Sequence, residues 1–189
     1  MAKPWLILIN GLPGTGKTTL ARRLAADVQL PVLHRDGIYE TLFDGLECQT
    51  YGCPPLIGPA SFRILHYAAG SFLAAGHSLI IEGFFGMTEL ATAEFRQLQQ
   101  AYDFMPLQIQ CQAAGPILLE RFLARAGTPE RHPCHRDLEF VRQNREIMLR
   151  GRLANLPLGG KVLEVDTTDV GAYNYKHILQ EVRLTLGTV

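Results

Sequence analysis

The sequence has no excess of either charge and no long apolar run. Its 18 basic and 18 acidic residues balance, which argues against a general binder of nucleic acid or of anionic membranes. The apolar run 5–9 is too short for the core of a signal peptide. Glycines and a histidine interrupt the apolar stretch 68–81, so it does not predict a membrane span. We therefore expect a cytoplasmic protein with no membrane partner, and we do not expect nucleic acid as a partner.

Cysteine is scarce, and no C-x-x-C pair occurs among the four cysteines. Four residues separate Cys48 from Cys53, while Cys134 lies beside His135 and close to His132. These spacings are not typical of zinc fingers or ribbons, so the sequence leaves open whether any of these side chains binds a metal. Free, reduced thiols are the expectation for a cytosolic chain.

The remaining composition is typical of a compact α/β domain. Hydrophobic residues make up 47% and charged residues 19%, which excludes a wholly disordered chain. The length predicts one domain over 1–189. Five short apolar runs alternate with helical patterns and predict a parallel sheet covered on both faces, with 44–59 mostly loop. The predicted strands are 5–10, 31–34, 78–82, 105–112 and 161–166, and the predicted helices are 16–28, 60–75, 88–102, 116–126, 137–153 and 170–186.

A complete Gly-x-x-x-x-Gly-Lys-Thr motif lies between the first predicted strand and the first predicted helix. Glycines allow successive backbone N–H groups to surround a phosphate, and the following helix directs its positive end toward it. In such a loop Lys17 bridges the β- and γ-phosphate oxygens, and the Thr18 hydroxyl binds Mg²⁺. The motif predicts nucleotide binding by Gly11, Pro13, Gly14, Thr15, Gly16, Lys17, Thr18 and Thr19.

Residues 11–25, GLPGTGKTTLARRLA, resemble P-loop kinases of the nucleoside-monophosphate-kinase-like group. That group includes chloramphenicol phosphotransferase, gluconate and shikimate kinases, and the kinase domain of polynucleotide kinase. The resemblance implies a three-layer P-loop NTPase fold with a five-stranded parallel sheet in the order 2-3-1-4-5. It also implies ATP and Mg²⁺ as cofactors, a substrate-covering segment at about 37–75 and an arginine-bearing lid at about 121–136.

Two acidic residues lie at or just after the carboxyl end of a predicted strand, at the edge where parallel sheets bind ligands. By resemblance to kinases that phosphorylate a hydroxyl, Asp36 accepts the proton of the acceptor hydroxyl or orients that hydroxyl. The alternative is that Asp36 is the N-cap of a helix. Glu82 resembles the strand-end acid of these kinases and is predicted to bind Mg²⁺ with Thr18, or else is an unrelated strand-end acid. Gly86 stands where adenylate kinases carry an arginine, which argues against a nucleoside monophosphate kinase.

Arginines are concentrated in the segment that resembles the lid. By this resemblance Arg121 lies near adenine, while Arg125 and Arg131 act on the phosphates as catalytic residues. A solvated basic helix is the alternative interpretation. His132 and His135 are expected to be lid residues without a catalytic role.

The acceptor site is predicted to include Asp36, Arg63 and Phe84. The Phe-Arg pair at 62–63 resembles shikimate kinase, but His66 stands where that kinase has an acid, which argues against its substrate. The sequence DTTD at 166–169 follows the fifth predicted strand, where relatives pack on adenine; a cap for the last helix is the alternative. No N-K-x-D or T-K-x-D guanine motif occurs, so ATP is favoured over GTP.

These observations favour an ATP-dependent phosphotransferase that moves the γ-phosphoryl group to a hydroxyl of a small molecule. Two alternatives stay open. Eight of the fourteen arginines lie between 121 and 152, which would suit a polynucleotide 5′-hydroxyl kinase. A non-catalytic ATP-binding regulatory module would need fewer charged groups than are present. The acceptor and the oligomeric state are not identified by the sequence.

Overall fold

The computed structural model describes residues 3–86, 89–169, 171 and 173–187. Strands and helices alternate along most of the chain, and one long helical stretch separates the second strand from the third. The elements are β1 (Trp5–Gly11), α1 (Lys17–Val28), β2 (Val32–His34), α2 (Arg35–Gly45), α3 (Cys48–Tyr51), α4 (Ile57–Ala74), β3 (Leu79–Gly83), α5 (Glu89–Ala101), β4 (Met105–Gln112), α6 (Gly115–Arg125), α7 (Asp137–Leu149), β5 (Lys161–Asp166) and α8 (Tyr175–Leu186).

The five strands form one parallel sheet in the order β2-β3-β1-β4-β5. The predicted α/β class and the strand order 2-3-1-4-5 are therefore confirmed. The connection from β1 to β2 runs toward one edge of the sheet. The connection from β3 to β4 runs toward the opposite edge. Loops that leave the carboxyl ends of β1 and β3 diverge at this point and open a crevice, which is where such sheets bind ligands.

The central strand β1 is buried on both faces, which explains its continuous apolar sequence. Leu6 and Leu8 face the cluster that includes α4 and α5, whereas Ile7 and Ile9 face the cluster that includes α1 and α8. All four side chains have no exposed surface. Burial on both faces holds β1 rigidly, so the loop that follows it starts from a fixed position.

Several helix boundaries differ from the predictions. The N-cap alternative for Asp36 implied a helix after it, but no bounds were predicted for α2; the helix has no fully buried residue, so its sequence carries only a weak apolar stripe. Helix α4 begins three residues earlier than predicted, α7 ends at Leu149 instead of 153, and α8 begins at Tyr175 instead of 170. The N-cap of α8 is Asn174, whose side chain accepts a hydrogen bond from the His177 amide, so neither Thr168 nor Asp169 caps this helix. The predicted cap Thr88 lies outside the described residues.

The expectation of four free thiols is wrong for one pair. Cys48 and Cys53 form a disulfide, because α3 and the turn at Gly52 bring their Cα atoms to 4.6 Å. Cys111 and Cys134 are free and buried. Within the described ranges, no helix combines the length and the apolar character that crossing a membrane requires.

Candidate active site

The loop after β1 has the backbone of a phosphate cradle. Gly14 and Gly16 adopt φ angles of +89° and +74°, which side chains rarely tolerate. Two hydrogen bonds hold the loop in place: the Thr15 hydroxyl donates to Leu12 O, and the Thr167 hydroxyl donates to Thr15 O. Helix α1 begins at Lys17, so its first amides point out of the helix end, toward the space above the loop.

Lys17 is buried at the start of α1 with 7% of its surface exposed. Among the residues that the structure describes, its ammonium has no carboxylate within ion-pair distance. A buried cation without a counter-ion is unfavourable unless an anion joins it. The loop and Lys17 together therefore fit a bound phosphate chain.

Asn10, at the end of β1, ties this loop to the loop after β3. Its side-chain amide donates to Phe85 O at 3.0 Å, and its carbonyl oxygen accepts from the amides of Phe85 and Gly11, each at 2.9 Å. The side chain is 2% exposed, and these bonds use both ends of it. Asn10 was not among the predicted site residues, although a polar residue at the end of an apolar strand was a usable signal.

Glu82 lies opposite Thr18 at the carboxyl ends of the strands. The Thr18 hydroxyl donates to one oxygen of Glu82 at 3.2 Å, and His34 Nδ1 is 2.8 Å from the other. The carboxylate is 3% exposed. Oxygen donors of this kind suit Mg²⁺, so Thr18 and Glu82 fit the predicted metal role. His34 was not assigned a role from the sequence, and the register of β2 against β3 places it beside Glu82.

Asp36 occupies the first turn of α2. The helix begins at Arg35 with His34 as its N-cap, so Asp36 is not the cap residue. Arg35 Nη1 donates to the carboxylate at 3.1 Å. Partial burial opposes ionisation of Asp36, but the charges of Lys17, Arg35 and His135 outweigh it and hold the pKa of this carboxyl below its usual value. At neutral pH Asp36 is a carboxylate that faces the ammonium of Lys17.

Two predicted arginines, Arg125 and Arg131, line the same space. Arg125 ends α6, and Arg131 belongs to the irregular connection 126–136 that leads into α7. Arg131 forms two hydrogen bonds of 2.7 Å, from Nε and Nη2, to the two carboxylate oxygens of Asp137. Burial, followed by the charge of Arg131, lowers the pKa of Arg125 from its ordinary value. Both guanidinium groups also lie over the Phe122 ring, at 4.9 and 5.9 Å.

These side chains line one cleft of about 450 Å³. Six predicted residues meet there: Pro13, Lys17, Asp36, Phe84, Arg125 and Arg131. The structure adds an aromatic wall that sequence analysis did not resolve, formed by Tyr39, Phe43, Phe122 and Phe140. For Tyr39 and Phe43 the signal was the apolar and aromatic content of 38–62, whereas Phe122 and Phe140 come from α6 and α7 and reach the wall only through the fold.

Two predicted residues lie away from this cleft. Arg63 is exposed on α4 and lines a separate depression against α5, beside His66 and Glu94. Its neighbour Phe62 turns inward instead and contacts the guanidinium of Arg35 at 4.7 Å. Arg121 lies on α6, where it donates to Thr168 O at 2.7 Å. The predicted adenine residues, Arg121 and the loop after β5, are therefore adjacent to each other.

Comparison with known proteins identifies the class of protein. Residues 6–147 match the AAA_33 family, described as an AAA domain, and the chain belongs to that family. The P-loop of this family implies nucleotide binding. The sequence-based resemblance to P-loop kinases is confirmed by the relatives below.

The most informative relative is a candidate kinase from Chloroflexus aurantiacus. The two sequences are 38% identical, and its crystal structure matches this one with a TM-score of 0.83. The match covers 100% of this chain and 98% of that chain. A gluconokinase from Sinorhizobium meliloti shares the fold at 14% identity, with a TM-score of 0.54 over 95% of this chain and 89% of that chain.

An uncharacterized protein of Mycobacterium tuberculosis is 28% identical over 131 residues. The match covers 65% of this chain and 26% of that protein, so the chain spans about a quarter of the length of the curated relatives that it matches.

Proposed function

We propose that this P-loop protein of kinase type transfers the γ-phosphoryl group of ATP to a hydroxyl of a small molecule. One observation carries the proposal: the Asp36 carboxylate and the Lys17 ammonium line the same cleft, together with two arginines. A site that only binds nucleotide needs the cation and one acid for Mg²⁺, here Glu82, but a second carboxylate beside the phosphate chain repels it. A carboxylate there is useful when a hydroxyl has to be oriented toward the phosphorus.

In the proposed complex the loop 11–16 and the first amides of α1 hold the phosphates of ATP. Lys17 contacts the β- and γ-phosphate oxygens, and Thr19 continues the cradle. The adenine lies between Arg121 and the loop after β5, where the contact from Arg121 to Thr168 O keeps the guanidinium in place. The identity of the base rests on the absence of a guanine motif in the sequence.

Thr18 and Glu82 would hold Mg²⁺. When bound, this ion neutralises charge on the β- and γ-phosphates. The contacts of Glu82 with Thr18 and His34 orient its carboxylate, and among the described residues no lysine or arginine forms an ion pair with it. That arrangement leaves the negative charge of Glu82 available to the metal.

Asp36 accepts a hydrogen bond from the acceptor hydroxyl and takes its proton during transfer. The bond from the acceptor oxygen to phosphorus forms as the bond from phosphorus to the bridging oxygen of ADP breaks. Since the pKa of Asp36 is held low, Asp36 is a weak base, and orienting the hydroxyl is its larger contribution. Arg125 and Arg131 stabilise the charge on the transferring group.

The acceptor lies between Asp36 and the aromatic wall, with Phe84 at its edge. Aromatic side chains on this side favour a partly apolar molecule with at least one hydroxyl group. Residues 37–75 cover it, and the connection 126–136 acts as the lid that excludes water during transfer. Arg63 is left out of this acceptor site because it lines another surface.

The proposal is tested by acceptor-dependent release of ADP from ATP and Mg²⁺. Pools of alcohols, sugars, antibiotics, nucleosides and 5′-hydroxyl oligonucleotides serve as acceptors. We expect one small-molecule pool to stimulate release, Lys17→Ala to abolish it through loss of ATP binding, and Asp36→Asn to abolish it while ATP binding persists. Lys176→Ala and Glu120→Gln, which alter exposed charges on α8 and α6, serve as matched controls with unchanged rates.

Two outcomes would contradict the proposal. Stimulation by oligonucleotides alone, with steep salt dependence, would assign a polynucleotide kinase instead. ATP binding without stimulation by any pool, together with wild-type behaviour of Asp36→Asn, would assign a nucleotide-binding module.

A further inference from the structure

We propose that Glu40, Cys134 and His135 form a binding site for a transition-metal ion of the Zn²⁺ type, separate from the Mg²⁺ position at Thr18 and Glu82. The proposal does not depend on the proposed function, because metal binding at this site is measured without ATP or acceptor.

The three side chains converge from two separate elements. Glu40 projects from α2, while Cys134 and His135 belong to the connection 126–136. One ligand atom from each residue lies within 4.8 Å of the other two. His135 Nε2 and Glu40 Oε1 are 2.7 Å apart, so these two donors already face each other. A metal ion replaces the proton between them and requires only a small separation of the two groups to reach bonding distances near 2.0–2.1 Å.

The chemistry of the donor set selects the kind of ion. A thiolate, an imidazole nitrogen and a carboxylate oxygen are the three common protein ligands of Zn²⁺. Mg²⁺ and Ca²⁺ prefer all-oxygen sites, so the soft sulfur of Cys134 disfavours them here. Binding releases the proton of the Cys134 thiol to solvent. Three protein ligands leave a fourth position for water, and the negative charges of Glu40 and the resulting thiolate balance the divalent ion.

The surroundings of the site support the ligands without competing for the metal. One turn further along α2, Asp44 pairs with His132 at 3.2 Å. His132 Nδ1 accepts from the Cys134 amide at 3.3 Å, which fixes the backbone next to the thiol. Arg131, a cation of the same connection, is engaged by Asp137 and does not pair with Glu40 within the described residues. Outer contacts of this kind orient metal ligands in proteins.

The location gives the metal a mechanical consequence. Cys134 and His135 line the same cleft as Asp36. A metal bound by both elements would join the connection 126–136 to α2 at the rim of this cleft. It would replace a single hydrogen bond by three coordinate bonds and would hold the two walls of the cleft together.

The test is titration of the full chain with Co²⁺, followed by displacement with Zn²⁺. Binding through Cys134 gives a sulfur-to-cobalt charge-transfer band together with the visible bands of a four-coordinate ion. We expect these bands in the wild-type chain, their loss on addition of one equivalent of Zn²⁺, and no effect of millimolar Mg²⁺. Cys134→Ser should remove the charge-transfer band. Glu40→Gln and His135→Gln should each weaken Co²⁺ binding by roughly 10- to 100-fold or more, since losing a residue that only contacts a metal ligand already has an effect of that size.

The other cysteines provide controls. Cys111→Ser changes the second free buried thiol, and the double variant Cys48→Ser/Cys53→Ser removes the disulfide pair. Both should keep the wild-type bands. Circular dichroism shows whether each variant is folded, and Glu40→Gln, which alters a partly exposed side chain, keeps the test valid if Cys134→Ser does not fold.

Three outcomes would overturn the assignment. The first is the absence of a charge-transfer band in the folded wild-type chain. The second is a band that persists in Cys134→Ser but disappears in the Cys48 and Cys53 double variant. The third is binding that the Glu40 and His135 variants leave unchanged.

Discussion

Replacing Asp137 by asparagine tests how the structure holds Arg131, a residue proposed to act on the phosphates. Asp137 begins α7, and its side chain is 5% exposed, whereas that of Arg131 is 16% exposed. Both carboxylate oxygens accept from the guanidinium at 2.7 Å. Asparagine keeps the shape but removes the charge and turns one acceptor into a donor. Arg131 then keeps its positive charge in a mostly buried position without a counter-ion.

The expected loss of stability follows from this geometry. Removing one partner of a buried ion pair costs about 3–5 kcal/mol, and the partial exposure of Arg131 places this pair near about 3 kcal/mol. For a domain of this size each kcal/mol lowers the Tm by about 2–4 °C, so we expect a decrease of about 6–12 °C. Replacing both partners, as in Arg131→Met/Asp137→Leu, should recover much of the loss because no buried charge remains unpaired.

Calorimetry and urea unfolding of the variants provide the measurement. The exposed pair Arg136–Glu139, at 3.5 Å, is the matched control, and Glu139→Gln should change the unfolding free energy by less than about 1 kcal/mol. The reasoning is refuted if Asp137→Asn melts within about 2 °C of the wild type, since that corresponds to roughly 1 kcal/mol or less. It is also refuted if the double variant is no more stable than Asp137→Asn.

Three further predictions concern the cleft and the sheet beneath it. Lys17→Met should raise the pKa of Asp36, because a cation that lowers it is lost; carbon-13 NMR titration of the carboxyl measures this change. In the wild type, the stabilising contribution of Asp36 is present above the ordinary aspartate pKa of about 3.9 and is lost as the pH falls through the lower folded-state value. Gly11→Ala should lose about 1–3 kcal/mol in urea unfolding, because the new Cβ would lie 2.5 Å from Cys111 O. Glu82→Gln should raise the Mg²⁺ concentration for half-maximal transfer by about 10-fold or more in a kinetic titration.

Each of these predictions has a matched control. Lys176→Met removes an exposed lysine on α8 and should leave the pKa of Asp36 unchanged. Gly45→Ala adds a Cβ with no atom within 4 Å and should not show the loss expected for Gly11→Ala. Glu120→Gln changes an exposed acid and should not alter the Mg²⁺ dependence. Equal effects in a variant and its control would contradict the corresponding prediction.

Much of the sheet was predictable because its three central strands, β1, β3 and β4, are buried along most of their length. Continuous apolar runs such as 5–9 mark such strands directly, and all five predicted strands are present with boundaries that differ by one residue or less. The extent of helix α2 escaped prediction because none of its residues is fully buried. The disulfide between Cys48 and Cys53 likewise depends on a local turn that spacing did not reveal.

The phosphate loop was readable from 11–18 because backbone conformation, and not distant contacts, makes the cradle. Glycine at 14 and 16 permits the left-handed angles, and the lysine and threonine that follow sit at the start of the helix. Local sequence therefore carries this part of the site almost completely.

The rest of the cleft depends on contacts between residues far apart in the chain. Arg63 and Arg131 were both predicted to be site residues from resemblance to known kinases. The packing of α4 turns Arg63 toward α5, whereas Asp137 holds Arg131 in the cleft. His34 meets Glu82 through the pairing of β2 with β3, and Glu40 meets His135 across 95 positions of sequence. Residue type and spacing specify a chemical capacity; which groups face one another is settled by the strand order and by the faces that the helices bury.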